Sequence, residues 1–396
     1  MRRQPSYCLV RAIATALSAT PFVCAAQSET AAGIGVSGNV EYATNPFLVD
    51  GDNTAAVRGR VSVSPFVEER TSRSSLRVSA DASFSKYSRR YDNTIDLSTL
   101  VGYSNQLTRQ LSIRAGASLN SSIGGLNNLN TLFQNPVPGV VLPPVDITII
   151  GSQERTTQVG ATAGLTYAIN DKNTVSLGSS ASVVRYPEAS NRNEYSNISQ
   201  SVSYSRVISP RISGGASVAV SRINYFGTDL GDALIISPSL DANIRLAANW
   251  TLTGSVGVSI SRVNIPFGTL NSTDLSGGLN LCRTNVRSDF CLNGSRSTAA
   301  SSFNGIRTTS TIGATYSYRV NARDSISASG GYSRSSVPRQ FLGEPTDYLS
   351  ASTSFSRRFS DRMTGQVSAG FRRSDFRVTR SNAYASIGLN YSFGSR

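Results

Sequence analysis

From residue 32 to its carboxyl end, the chain alternates apolar with small polar residues in stretches of ten to fourteen. A period of two belongs to a β-strand whose two faces meet different surroundings. Ile212, Gly214, Ala216, Val218 and Val220 share one parity, while Ser213, Gly215, Ser217, Ala219 and Ser221 take the other. Near the end, Ala383, Ala385, Ile387, Leu389, Tyr391 and Phe393 alternate with Tyr384, Ser386, Gly388, Asn390 and Ser392. A soluble sandwich fills its interior with large side chains, and a Ser/Thr/Gly face cannot fill a dry core. A membrane barrel needs just this split, with the apolar face toward lipid, the small polar face toward water and every backbone group paired. The expected fold class is therefore all-β, a transmembrane antiparallel β-barrel.

The pattern predicts about sixteen strands, an even number as such barrels require. Its connections alternate in length. Short ones carry turn formers, such as Asn170-Asp171-Lys172-Asn173 and Asn321-Ala322-Arg323-Asp324, and the longest fall at 122–154 and 264–304. Short turns on the periplasmic side and long loops outside put both termini in the periplasm. The 122–154 loop, with Pro136, Pro138, Pro143 and Pro144, has two readings: an inward constriction or an external cap.

The amino terminus fits this compartment. Met1-Arg2-Arg3 begins a basic segment, Ala12 to Ala19 is apolar and small, and Cys24-Ala25-Ala26 offers a cleavage site. Residues 1–26 read as a secretory signal peptide, too short for a membrane span, leaving 27–396 as one barrel. Cys24 also admits a lipoprotein reading, against which Val23 is too large for that peptidase. With Cys8 and Cys24 in the signal, the remaining pair is Cys282 and Cys291, best read as a disulfide in an oxidising compartment rather than two thiols. Two cysteines without histidine leave a metal shell half empty, so no metal and no cofactor is expected.

Charge narrows the chemistry further. The formal net charge is +14, and there is no histidine in 396 residues. Imidazole-based catalysis is excluded, and with it Ser-His-Asp hydrolysis. No spacing singles out a Ser/Asp or Asp/Asp arrangement, so the chain reads as no enzyme. Secretion disfavours nucleic acid as the partner of the positive charge and favours anions outside the cell.

On the apolar parity, close to the short turns, fall Tyr103, Tyr167, Tyr204, Trp250, Tyr318, Phe355, Tyr391 and Phe393, the aromatic belt of a membrane–water interface. At the other end the same parity terminates in Lys86, Arg185, Arg222, Arg262, Arg334 and Arg373. Five of them lie ten residues beyond Leu76, Val175, Ile212, Leu252 and Met363, and Arg334 lies eight beyond Ile326. Ten residues of tilted strand climb ~23 Å, about the height of the apolar band. The six read either as a ring binding lipopolysaccharide phosphates or as solvated charges at the loop bases. The inward parity carries Arg58, Arg60, Arg77, Arg114, Arg245, Arg307, Arg319 and Arg372, against fewer acids such as Asp81, Asp96 and Asp241. Rings of Arg favour anions, although luminal Arg–Asp pairs also tie a wall together. Arg283, Arg287, Arg296, Arg377 and Arg380 are expected in external loops that suit an anionic polymer.

The last strand, Ser386-Ile387-Gly388-Leu389-Asn390-Tyr391-Ser392-Phe393, resembles the carboxy-terminal insertion signal of outer-membrane proteins, with Ser386, Gly388, Tyr391 and Phe393 as its elements. The usual signal ends at the aromatic residue, whereas Gly394-Ser395-Arg396 follow here. That resemblance implies recognition by the barrel assembly machinery. Gly38-Asn39-Val40-Glu41-Tyr42-Ala43-Thr44-Asn45-Pro46-Phe47-Leu48 and the Arg-rich up-strands also resemble the second-type β-barrel porin family, often encoded near exopolysaccharide loci. The resemblance implies the outer membrane of a Gram-negative bacterium. Two functions follow: a porin-like passive channel preferring anionic solutes or oligosaccharides, or a non-conducting accessory barrel in surface polysaccharide export or assembly.

Overall fold

The computed structural model describes residues 28–123, 146–150, 153–187, 192–226, 231–265, 268–302, 305–337 and 344–394. The signal peptide expected at 1–26 and most of the 122–154 loop lie outside them. The described residues form one antiparallel sheet of 18 strands, each paired with its neighbours in sequence, and β1 also pairs with β18, so the sheet closes. In chain order these are β1 (Glu29–Ala43), β2 (Ala56–Arg70), β3 (Ser74–Tyr87), β4 (Thr94–Gln106), β5 (Leu111–Ile123), β6 (Arg155–Asn170), β7 (Asn173–Arg185), β8 (Tyr195–Ser209) and β9 (Ile212–Tyr225). They continue as β10 (Ala233–Ala247), β11 (Trp250–Ile265), β12 (Gly268–Thr284), β13 (Ser288–Ser301), β14 (Gly305–Arg319), β15 (Asp324–Ser336), β16 (Thr346–Arg358), β17 (Met363–Phe376) and β18 (Val378–Gly394).

The expected count of about sixteen is corrected to 18 by one hairpin. The segment expected as a long loop, 264–304, is mostly β12 and β13. Cys282 and Cys291 are bonded there at directly opposed positions of the ladder, Cα to Cα 4.1 Å, and not within a loop. Arg283 lies in β12, Arg296 in β13 and Arg380 in β18, so these three are wall residues and not external loop residues. Arg287 sits in the short turn between β12 and β13, while Arg377 alone joins β17 to β18 and has a positive φ of 58°.

Side-chain hydrogen bonds shape the short turns. Asn170 Oδ1 accepts from the backbone N–H groups of Lys172 and Asn173. Asn321 Oδ1 does the same for Arg323 and Asp324, and Thr71 and Thr108 accept from Ser74 and Leu111. These are the Asx- and Ser/Thr-turns that reverse a chain in a few residues.

The register carries one parity outward around the barrel. Val36, Val63, Tyr391 and Ile387 sit on the same face as Leu252, Val256 and Ile260. Val256, Leu275 and Ile387 are 59 %, 62 % and 63 % exposed, as residues bounded by lipid would be in a protein-only structure. The Val/Ile/Leu series is therefore outside and the Ser/Thr/Gly series inside. Buried apolar side chains gather instead toward the long-loop end of the interior.

Candidate functional site

The inner wall is built of hydroxyl pairs. Ser37 and Ser62 lie 2.6 Å apart, Ser325 and Ser356 2.7 Å, Ser327 and Ser354 2.7 Å, Ser329 and Ser352 2.8 Å, and Ser368 and Ser386 2.7 Å. Opposed small residues satisfy one another across the strands and leave space at the centre. Longer side chains interrupt this lining at a few places, and the charge lies there.

Around the closing strands a niche of about 360 Å³ is lined by Glu41, Arg58, Arg60, Asp96, Arg372 and Tyr384, among others. Arg58 Nη2 donates to Glu41 at 3.0 Å, Arg60 lies 3.9 Å from Asp81, and Arg372 stacks over Tyr384 at 4.7 Å. Arg307, expected as a lumen cation, is 2 % exposed and serves as a pin: its Nε donates to Ser335 Oγ at 2.8 Å and its Nη2 to Ser335 O at 2.7 Å. Arg77, Arg114, Arg245 and Arg319 are different. All four are exposed and inward in register, and they lie toward the short-turn ends of β3, β5, β10 and β14. Glu68, on the same face, stands opposite Arg77 and also pairs with Arg70.

Two segments fold inward from the long-loop end. In the β1–β2 connection, Phe47 packs on Tyr87 at 5.2 Å and on Tyr91 at 5.0 Å, and Leu48 is wholly buried. Asn45 holds this turn, its Oδ1 accepting from Val49 N and its Nδ2 donating to Val49 O. Burial raises the Tyr91 phenol above its ordinary value. The second comprises the adjoining ends of β13 and β14, up to Ser302 and from Gly305. Ile306 and Ala300 pack with Ile149, Val184, Tyr186, Tyr195, Ile223, Tyr225, Ile235 and Val263. Tyr225 donates its hydroxyl to Gly305 O at 2.7 Å, Asn193 N donates to Ser302 O, and Asp146 Oδ2 accepts from Ser301 Oγ and Ser302 N. Burial pushes the Tyr186 phenol up, so it stays neutral in this cluster. Neither of these two is marked by the alternation, whereas residues 146–150, the described part of the 122–154 loop, follow its inward reading, with Asp146 and Ile149 packed against the second. Phe47 and Leu48 beside Asn45-Pro46 were the available signal for the first; nothing local marks the second.

On the outside, all six strand-end cations lie on the outward parity, but most have acidic partners. Arg185 reaches Glu194 at 3.1 Å, Arg222 reaches Asp232 at 2.6 Å, Arg334 reaches Asp347 at 3.8 Å and Arg373 reaches Asp375 at 3.0 Å. Arg185 also lies over the Phe226 ring at 5.1 Å. Lys86 and Arg262 have no ion pair among the described residues. At the opposite end the belt aromatics are outward as well, with Arg283 over Trp250 at 5.7 Å and the Tyr391 and Phe393 rings 4.5 Å apart. Ser386 and Gly388 face the lumen, so the insertion-signal residues divide between the two faces. Among the described residues no cluster of His, Cys, Asp and Glu would hold a metal ion.

An apolar exterior, a hydroxyl-rich interior and a closed ladder define a transmembrane β-barrel. Neither a family model nor a curated protein matches the chain. Among solved structures, a BenF-like porin from Pseudomonas fluorescens Pf-5 is similar with a TM-score of 0.50 and 9% identity, over 93% of this chain and 99% of that one. OccK9 (OpdG) of Pseudomonas aeruginosa aligns with a TM-score of 0.49 and 11% identity over 93% and 99% of the two chains. At such identity the likeness to the BenF-like porin is one of fold, a β-barrel of the porin kind.

Proposed function

We propose that the chain is an outer-membrane channel of a Gram-negative bacterium, with its short-turn end and both termini in the periplasm, carrying small hydrophilic solutes with a preference for anions. The observation that carries this reading is the set of exposed inward arginines, Arg77, Arg114, Arg245 and Arg319, at the short-turn mouth of a hydroxyl-lined barrel. Fixed cations at a mouth raise the local concentration of anions. The two inward segments narrow the other end, which favours small or extended solutes over bulky ones.

Planar-bilayer recording tests the proposal. Discrete conductance steps with a reversal potential on the anion side are expected in a salt gradient. Replacing the four arginines with Gln moves that potential toward cations. Absence of any conductance step overturns the channel.

The filled long-loop end supports a second reading, an accessory barrel of surface polysaccharide export or assembly. A deletion strain with altered exopolysaccharide and normal solute uptake supports that reading against the channel. Lipopolysaccharide is proposed as the partner of the outward ring, above all of Lys86 and Arg262, and the barrel assembly machinery as the partner of β18. Replacing all six ring cations with Gln lowers lipopolysaccharide co-purification if the first assignment holds.

A further inference from the structure

The wall between β12 and β13 is laddered over only part of its height. Their register runs from Thr284↔Asp289 to Gly277↔Arg296 and stops. Beyond it, β12 stays paired to β11 as far as Gly268↔Ile265, and β13 stays paired to β14 as far as Ser301↔Gly305. Residues 268–276 and 297–301 thus have no ladder between them. Backbone groups left unpaired in hydrocarbon cost several kcal/mol each, so an opening there needs other partners.

Arg296 supplies one of them. Arg296 Nε donates to Leu275 O at 3.1 Å, its Nη1 donates to Ser310 Oγ at 3.0 Å, and its Nη2 lies 3.8 Å from Asp274. Thr308 Oγ1 donates to Asp274 Oδ2 at 3.4 Å. Arg296 lies near the middle of β13 on the outward parity, where a lipid-facing arginine costs ~2–4 kcal/mol. Turned into the gap, it meets a carboxylate and a carbonyl instead.

A cavity of about 370 Å³ inside the barrel is bounded on one side by Ser297 to Ala300, the stretch of β13 that borders the split, and on the others by β5 to β10. Tyr195, Ile223 and Ile235 give it an apolar side, Ser182, Asn197 and Ser199 a hydroxyl- and amide-bearing one, and among the described residues no charged side chain lines it. That chemistry differs from the arginine-lined mouth and suits an uncharged amphipathic molecule, a class that dissolves in the bilayer more readily than it crosses a charged aqueous entrance.

We propose that the split between β12 and β13 is a lateral gate, latched by Asp274 and Arg296, through which an uncharged single-chain amphiphile passes between the bilayer and this cavity. The gate is independent of whether the aqueous mouth conducts ions.

The test places a thiol in the cavity with Ala300→Cys, in protein purified from outer membranes and reconstituted into phospholipid vesicles, the native pair Cys282–Cys291 being bonded. Labelling is followed with pyrene maleimide dissolved in the lipid and with a sulfonated maleimide confined to water. Arg296→Gln is expected to speed the lipid-borne reaction about tenfold, the factor that corresponds to roughly 1.4 kcal/mol, while leaving the water-borne rate unchanged. Asp274→Asn acts in the same direction and keeps the test available should the first variant fail to assemble. Arg357→Gln, which breaks an outward ion pair between the laddered strands β15 and β16, changes neither rate. Decanol slows the lipid-borne reaction, and decanoate does not. An unchanged lipid-borne rate in both latch variants, or equal acceleration of both reagents, overturns the gate, and absence of protection by decanol overturns the assigned cargo.

Discussion

Two seams of the barrel invite comparison: the one where the chain closes on itself, and the one between β12 and β13. The closing seam joins the most distant parts of the sequence, yet its register runs unbroken from Gly33↔Gly394 to Ala43↔Tyr384. The other joins the two arms of a hairpin, carries a disulfide at its base, and separates above Gly277↔Arg296. Proximity in sequence therefore does not set the strength of a seam in this barrel. What differs is the fate of the strand beyond: β1 and β18 both stay in the wall, whereas β13 turns inward and exchanges ladder bonds with β12 for apolar contacts through Ala300 and the adjoining Ile306.

That exchange is open to direct attack. Ile306 is wholly buried in the luminal cluster, so Ile306→Ala is expected to cost ~2–5 kcal/mol, read as a lower denaturant midpoint and faster amide exchange at 297–309. A change confined to the closing seam's amides would contradict the inward docking of these strand ends. Charge at mid-height sharpens the contrast. Val256 is on the outward face near the middle of β11, paired on both sides, and Val256→Arg is expected to destabilise by ~2–4 kcal/mol. Arg296→Gln, at similar height in the split, leaves an exposed carbonyl and carboxylate to water and is expected to cost less; equal losses in urea titration would place Arg296 against lipid.

The disulfide ranks next. Replacing Cys282 and Cys291 together with Ser is expected to lower stability by ~2–3 kcal/mol, since the bond closes a short loop. The loss, monitored by heat-modifiable electrophoresis, falls on the hairpin and not on β1–β18. The smallest effect belongs to the closing seam's own clamp, where Arg380 donates through Nε and Nη2 to the two Asp50 carboxylate oxygens at 2.7 Å. These hydrogen bonds hold the Asp50 carboxyl below its ordinary value. The contribution is present above the unfolded carboxylate value and disappears as pH falls through the lowered folded one. Being exposed, the pair is expected to give at most ~1 kcal/mol, so Asp50→Asn should flatten the acid limb of the stability profile only slightly.

Much of this architecture was readable from the period-two pattern, because lipid and water impose opposite demands on neighbouring residues and leave a mark at each position. β9 and β18 show it in full. β12 and β13 hide it: Gly277-Gly278 interrupts the apolar series Leu275, Leu279 and Leu281, and Arg296 puts a charge at mid-height on the lipid-facing parity. The parity of Arg307 was legible, but its burial was not, since its partner Ser335 is 28 residues away on another strand. The same holds for the strand-end cations. Their outward side follows from alternation, while their acids, Glu194, Asp232 and Asp347, belong to the next strand or its approach and are brought alongside by the register.

The serine pairs of the inner wall carry a consequence of their own. Each hydroxyl finds its partner on the adjacent strand, so swapping one such pair for threonine, alanine or asparagine alters the bore without disturbing the backbone ladder. The chemical character of the bore then rests on the few long side chains that protrude from an otherwise interchangeable surface. That handful of positions can be edited while the cylinder itself is inherited unchanged.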